Sequence, residues 1–474
     1  MSFTPTPQQP RKPASTNLII GVMVMAAFVM ILNETTVSIA LSELSKTLDV
    51  SIATVQWLMS GFLVTMAVVI PMTGFLLDRF SPRAIFLVAI TSFALGSTLC
   101  AIAPNFGALL TGRVVQASGT AVMIPLVMTT VMRLVPADRR GAMMGTISIV
   151  IGVGPAIGPT VGGAILSAMS WQWMFWMGVI LAAILFIFGY FRLHAPIEKK
   201  QTPLDILSVI LSALGFAGLV YGLSSIGQTQ VPVPPWAALV ISIVALACFI
   251  WRQIVLQRED RPLLDLRTLK YGRFRLGIVM SVMVFMALLG AGAILLPIYL
   301  QDILGHGTFT AGLALLPGGL SMAAVSRPAG SLYDRFGARV LVAPGAIGMT
   351  SALWIFSLLG DDVPLGFVIA THMLLMISLG LMMTPLMADA LGSLPAYLDS
   401  HGSAIFATLQ QVAGALGSAV FVTVAAIAST TVSETPDARG LDTAFLVAGC
   451  VAFVGIIFAF MFKKPAADVE PTTT

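Results

Sequence analysis

The stretch GFLLDRFSPR at residues 74–83 returns, 256 residues later, as GSLYDRFGAR at residues 330–339. Both copies have Gly at the first place, Leu at the third, Asp-Arg-Phe at the fifth to seventh and Arg at the tenth. Each copy ends one apolar run of helix length and precedes another. A charged hairpin at the same place in two copies marks a chain built as two related halves.

The rest of the chain is apolar. Of 474 residues 57% are hydrophobic and only 10% are charged, with a mean hydropathy of +0.96. A soluble protein of this size needs far more charge to cover its surface, so the composition predicts a polytopic membrane protein. The three cysteines (Cys100, Cys248 and Cys450) are scattered through apolar runs and give neither a disulfide framework nor a metal pair. Residues 1–17 are polar and Pro-rich and read as a disordered tail, with no cleavable signal.

A membrane helix needs about 20 mostly apolar residues. Fourteen such spans are expected, at 18–41, 54–77, 84–104, 107–131, 142–168, 172–191, 205–227, 235–256, 276–300, 309–329, 338–360, 364–388, 403–430 and 441–462. An even count puts both termini on one side. Twenty-two of the 25 Lys and Arg residues fall on that side. The other side has Lys46 and Arg439, and Arg113 lies within a span. Positive residues mark the cytoplasmic face, so both termini are expected there. The hairpins join spans 2 and 3 and spans 10 and 11, which matches spans 1–6 with 9–14 and leaves 7 and 8 as an insertion. The expected units are a tail (1–17), a six-helix half (18–200), an inserted pair (201–257), a basic cytoplasmic linker (258–275), a second six-helix half (276–463) and a second tail (464–474). Parallel halves of six are the pattern of major facilitator transporters.

Further motifs make the likeness specific. They are Arg113-Val-Val-Gln116-Ala-Ser-Gly119 in span 4, the run from Gly154 to Gly163 in span 5, LNETTVSIAL at 32–41 and VQWLMSGFLVT at 55–65. Together with the paired hairpins, they resemble the fourteen-span drug:proton antiporter branch of the major facilitator superfamily over nearly the whole chain. The resemblance implies the major facilitator fold, a cargo cavity lined by spans such as 1 and 4, and an antiporter signature in Gly154, Pro155, Gly158, Pro159, Gly162 and Gly163. Many relatives carry Asp at the place of Asn33. Here the acid is Glu34, one residue and about 100° further round the helix.

Three ionisable residues fall at similar depth. Counted from the helix ends away from the hairpins, Glu34, Arg113 and His372 each lie roughly 10 Å below the surface. Spans 4 and 12 correspond under the two-fold mapping, so the three are expected in one layer on helices that face one another. An intramembrane carboxyl must face protein or water and is a functional candidate. Desolvation favours its neutral form and a neighbouring guanidinium favours its charged form, the balance a proton carrier needs. Two readings stay open for Glu34: proton coupling, with Asn33 as hydrogen-bonding neighbour, or a fixed pair with Arg113 that holds two helices together. Arg113 keeps its charge and is expected to compete with protons or to organise water through Gln116; Asn33, Arg113, Gln116 and His372 are all expected to line the cargo cavity. His372 could titrate or bond across helices. Asp389 reads either as a second coupling acid or as a solvated residue just past the end of span 12. Of Gln410 and Gln411, one is expected to face the cavity and the other to pack. Asp302 is expected to be solvated.

Gly154, Gly158 and Gly162 recur every four residues and form one smooth stripe. Such a stripe lets a helix approach closely, and the two prolines bend the span. This suits a rocking contact between halves. In the hairpins, Gly74, Asp78, Arg79 and Arg83, with Gly330, Asp334, Arg335 and Arg339, read as a cytoplasmic gate. Each Asp can hold the positive end of a neighbouring helix or an Arg across the gap. The alternative is ordinary topology-setting charge.

The functional expectation is a proton-driven exporter, not an enzyme, in the cytoplasmic membrane. It needs no cofactor or metal beyond a proton gradient. It is expected to act as a monomer among membrane lipids on small lipophilic or cationic substrates, and no nucleic-acid partner is implied. The 26 Met include Met23, Met25, Met30, Met59, Met66, Met123, Met382 and Met383 within spans. Flexible thioethers suit a permissive pocket, or merely fill space. Rival readings are an exporter dedicated to one metabolite or lipid, and a channel, scramblase or sensor without coupled turnover.

Overall fold

A computed structural model describes residues 16–193, 204–226, 231–259, 261–430 and 436–462. Nearly all of both expected tails, Lys199 and Lys200, and the boundary at 200/201 lie outside the described residues.

Among the described residues, thirteen helices are long and apolar enough to cross a membrane, and a bent helix brings the number to fourteen. They are α1 (Thr16–Leu41), α2 (Trp57–Arg79), α3 (Pro82–Ala101), α4 (Phe106–Leu134), the bent α5 (Arg140–Ala168), α6 (Gln172–Arg192), α7 (Ile206–Ser224), α8 (Pro235–Gln257), α9 (Gly272–Ile303), α10 (Phe309–Phe336), α11 (Arg339–Phe356), α12 (Leu365–Gly392), α13 (Ala396–Ala428) and α14 (Ala438–Ala459). Each lies over one expected span.

Hydropathy explains the helices, because hydrocarbon leaves backbone polar groups no partner but each other. The hairpins end helices by different chemistry. Ser81 caps α3, accepting from the Ala84 N–H, with Pro82 in the first turn. The matching Gly337 ends α10 at φ +80°, a conformation that favours glycine.

Packing repeats with the sequence. In α1–α6, α1 packs on α5, α2 on α4, and α3 on both α4 and α6. In α9–α14 the same pairings recur: α9 on α13, α10 on α12, and α11 on both α12 and α14. The two sets meet where α5 lies along α10 and where α13 crosses α2 and α4.

The bend in α5 is 42°, falling between Pro155 and Ile157. On one side of it, a Cβ on Gly158 would overlap Thr35, and one on Gly162 would sit 2.8 Å from the Thr36 carbonyl. Gly154 meets Ile31. This corrects the expectation for the Gly154, Gly158 and Gly162 stripe, which packs on α1 within its own set rather than between sets. Gly163 has open space beside it. The contact between sets uses a second stripe, nearer the hairpins. A Cβ on Gly145 would lie 2.6 Å from the Ser326 carbonyl, one on Gly141 would meet the Gly330 carbonyl at 2.5 Å, and one on Gly152 would meet Met322 at 2.6 Å. Thr384 Oγ1 also donates to Ser148 Oγ at 3.0 Å across the seam.

The pair α7–α8 is pinned at both ends. Arg252 donates to both oxygens of Asp205 at 2.7 and 2.6 Å. At the other end Tyr221 stacks on Trp57 of α2, with centroids 5.6 Å apart. The Arg252 guanidinium holds the Asp205 carboxyl well below the usual carboxylate range. A carboxylate held low in the folded state contributes stability above its ordinary value near 3.8, and loses it only as pH falls through the lower folded value. Asp205→Asn should therefore melt earlier than the parent by a gap that stays constant between about pH 5 and 8. A gap that grew or vanished within that window would rule the pairing out as its source.

Candidate functional site

Two chambers lie along the seam between the sets. The proximal chamber, nearer the hairpins, measures about 120 Å³, and the distal one about 400 Å³. Glu34, Leu289 and Gln411 line both, so one layer of side chains from α1, α9 and α13 divides them. α9 winds in wide π turns from Met286 to Leu295, a distortion often found at functional sites, and this segment supplies Leu288 and Leu289 to the walls. Met30, Met66 and Met123 line the proximal chamber and Met59 the distal one. Met23, Met382 and Met383 are buried in the cores, whereas Met25 is 52% exposed.

Glu34 forms no hydrogen bond or ion pair with any described residue, although the charge of Arg113 is close enough to act on it. A fixed Glu34–Arg113 pair is therefore absent from this conformation. Contrary to expectation, Arg113 and Gln116 line neither chamber; both are fully buried, because their polar groups bond to one another and to neighbouring helices. Arg113 Nη1 donates to Gln116 Oε1 at 2.6 Å, its Nε to the Leu58 carbonyl at 3.3 Å, and its guanidinium lies 4.1 Å from the Phe62 ring centroid. Gln116 Nε2 donates to Asn33 Oδ1 at 2.7 Å and Ser97 Oγ at 2.8 Å, and Asn33 Nδ2 donates to the Met174 carbonyl at 2.8 Å. Asn33 thus serves Gln116 and Met174 rather than Glu34, because one residue of helix turns it out of the chambers. This chain ties α1, α3, α4 and α6 together, and it leaves Arg113 Nη2 without a hydrogen-bond partner among the described residues.

His372 does not join them, contrary to expectation. It is 4% exposed, its ring packs where a side chain on Gly318 would be, and its Nδ1 has no hydrogen-bond partner among the described residues. The mapping of α4 onto α12 holds, but it carries His372 onto α10 of its own set, just as Arg113 lies against α2. Asp389 is likewise corrected. It is 2% exposed within α12, not solvated past its end, because Arg273 at the start of α9 closes on it as an ion pair. Tyr333 donates to it at 3.5 Å. Both Gln410 and Gln411 line the proximal chamber; Gln410 also donates to Ser281 Oγ at 3.3 Å, so the expected division between them is only partial. Asp302 is exposed, as read.

At the hairpins the two aspartates behave differently. Asp334 accepts from the backbone N–H groups of Gly141 and Ala142 at 2.8 and 3.0 Å, holding the N-terminal end of α5. Asp78 accepts from Arg133 at 3.0 Å and lies 3.4 Å from His401 Nε2 of α13. Arg133 reaches on to Ser400 Oγ at 2.6 Å. Gly74 and Gly330 sit where the opposing helices touch, Gly74 on His401 and Gly330 on Gly141. The arginines turn elsewhere: Arg83 donates to the Tyr190 carbonyl at 2.7 Å, Arg79 lies over Phe75 and Phe80, Arg339 lies over Phe460, and Arg335 is exposed. The linker is docked beside them, with the Leu263 N–H on Gln253 Oε1 at 2.8 Å and the Asp265 N–H on His401 Nδ1 at 3.3 Å.

Two six-helix sets that meet around a seam chamber, closed at one end by paired hairpins, are the architecture of a membrane transporter. The family model of the Major Facilitator Superfamily matches residues 23–418. The chain belongs to the major facilitator superfamily. This transporter is 39% identical over 450 residues to the lincomycin resistance protein LmrB of Listeria monocytogenes, covering 94% of this chain and 93% of that one. It is 36% identical to LmrB of Bacillus subtilis, covering 94% and 95%. It is 29% identical to the multidrug resistance protein B homolog of Mycobacterium tuberculosis, covering 84% and 74%. The human organic anion transporter MFSD10 shares the fold at a TM-score of 0.65 and 15% identity, over 95% of this chain and all of that one. The chain is thus a multi-pass transporter related to drug-resistance efflux proteins.

Several residues of this major facilitator site escape a sequence reading. Arg133, Arg273 and His401 are partners of acids, yet the first two count only as topological charge along the chain. Gly141 and Gly145 form a small-xxx-small pair, a signal that identifies a close helix contact but not its partner. The hairpin contacts give a direct expectation. Asp334→Asn keeps the side chain's shape but removes the anion from the end of α5, and a charge at a helix N-terminus contributes about 0.3–2 kcal/mol. Solvent labelling of a cysteine placed at Ala142 should then rise severalfold, while unchanged labelling would show that Asp334 does not hold this contact.

Proposed function

We propose that this transporter is a proton-coupled antiporter that exports small lipophilic or cationic drugs by alternating access. The observation that carries the reading is Glu34, an intramembrane carboxyl with no hydrogen bond or ion pair among the described residues, set in the layer dividing the two chambers. A group so placed can be reached from either side as the sets rock, and it carries a proton one way when cargo leaves the other. Arg113 supports this role. Its unpartnered Nη2 offers the carboxylate a destination when the proton departs, and its other donors are held by Gln116 and Leu58, so the guanidinium stays in position. Gln410 and Gln411 supply polar contacts in walls that are otherwise apolar and rich in methionine, which suits varied cargo.

The concentration of positive residues at the hairpin end assigns that end to the cytoplasm. The Asp78, Arg133 and His401 cluster and the Asp334 contact then form the cytoplasmic gate, shut in this conformation. The repeated pairings support a 6 + 2 + 6 division of the chain. Asp389, already paired with Arg273, belongs to this end and not to the coupling layer.

The test uses purified protein in proteoliposomes, with lincomycin and tetraphenylphosphonium as probes. Imposing a pH gradient should drive both probes against their gradients, and each should in turn move protons. Cargo movement that ignores the pH gradient would overturn the antiporter reading. Movement of a single compound from a wider panel would overturn the multidrug one.

A further inference from the structure

The inserted pair α7–α8 has no counterpart in the repeat, yet α7 does not stand apart from the site. Val220, Leu223, Ser224 and Ile226 line the distal chamber, opposite Gly414, Ala415 and Ser418 of α13. Glu34 lines the same chamber. α7 packs on α2 from one set and on α13 from the other, so it closes the side of the seam that the two six-helix sets leave open.

Its position is fixed rather than incidental. Tyr221 stacks on Trp57 with ring planes 25° apart, and its hydroxyl donates to the Val233 carbonyl at 2.8 Å. Gly218 and Gly222 bring α7 against Ser242 and Leu239 of α8. At the far end the Arg252–Asp205 pair holds the same two helices. The chamber face of α7 is therefore presented by a braced element, while residues such as Ile210 on the same helix are 49% exposed and face outward.

We propose that α7 is a wall of the cargo site, and that Val220, Leu223 and Ile226 determine which lipophilic cargo the distal chamber admits. This rests on the export reading above. The three side chains give the chamber an apolar, shape-defining surface, and Glu34 across from them supplies its charge. Cargo in the distal chamber touches α7 on its way past the dividing layer.

The experiment places single cysteines in a full-length background lacking the native ones (Cys100→Ala, Cys248→Ala, Cys450→Ala). Leu223→Cys, Gln411→Cys and Ile210→Cys are labelled with a membrane-impermeant maleimide, with lincomycin or tetraphenylphosphonium as the protecting probe. At roughly ten times its Kd, a probe leaves about one site in ten free, so labelling at Leu223→Cys should slow about tenfold. Ile226→Cys gives the same readout if Leu223→Cys folds poorly. Labelling at Ile210→Cys should not respond. Protection at Gln411→Cys without protection at Leu223→Cys or Ile226→Cys overturns the proposal and leaves the export reading standing. Protection at none of the three overturns both. As a second readout, Leu223→Trp should shift the ratio of lincomycin to tetraphenylphosphonium transport, while Ile210→Trp should leave it unchanged.

Discussion

Glu34→Gln is expected to abolish uphill transport while cargo binding persists. Gln matches Glu in size and hydrogen-bonding shape but cannot release a proton. Among the described residues the carboxyl makes no hydrogen bond or ion pair, so the substitution breaks none of the described polar contacts and its effect reads out chemistry. A potential of 100 mV supplies about 2.3 kcal/mol per proton, which sustains roughly a 50-fold accumulation ratio. The Gln variant should reach no accumulation, with exchange of cargo for cargo preserved and thermal stability close to the parent. Proteoliposome flux under an imposed pH gradient checks this. Accumulation at the parent level would remove Glu34 from the coupling step.

Gly145→Leu is expected to keep the two sets from closing at the hairpin end. A Cβ there would lie 2.6 Å from the Ser326 carbonyl and 2.9 Å from Arg327 Cα, both main-chain atoms that cannot swing away. Forcing atoms into a packed contact costs about 1–3 kcal/mol, enough to shift the balance between closed and open states by roughly 5- to 150-fold. The seam provides its own reporter. Ser148 and Thr384 touch at 3.0 Å across it, so Ser148→Cys with Thr384→Cys should form a disulfide spontaneously and stop transport until reduced. With Gly145→Leu added, that disulfide should form slowly or not at all. Equal cross-linking in both backgrounds would show that the glycine contact does not govern closure.

The spans and the repeat were legible because each follows from a one-dimensional constraint. Hydrocarbon thickness sets helix length, and a duplicated hairpin is visible in any register. Asn33, Arg113 and Gln116 stand out because polar residues in a membrane need partners. What the chain does not encode locally is which way a helix faces around the bundle. Counting residues from a helix end gives depth, so His372 matched Glu34 in depth while packing on α10. The same gap hid the partner of Asp389, since Arg273 lies 116 positions away, and it credited one glycine stripe with a contact that another makes. The distal chamber was illegible for a further reason. Its wall includes α7, which the two-fold mapping sets aside as an insertion.

The bend in α5 makes that helix a lever. Its stretch beyond the bend is held by α1 through Gly158 and Gly162. Its other arm runs about 20 Å from Pro155 to Gly141 at 1.5 Å per residue. A swing of about 10° at the bend moves the tip by roughly 4 Å over such an arm. That exceeds the length of the two hydrogen bonds, 2.8 and 3.0 Å, by which Asp334 holds the tip. A modest change of angle at two prolines in mid-helix is therefore sufficient to unlatch the far end of the molecule, with no need for any helix to unwind.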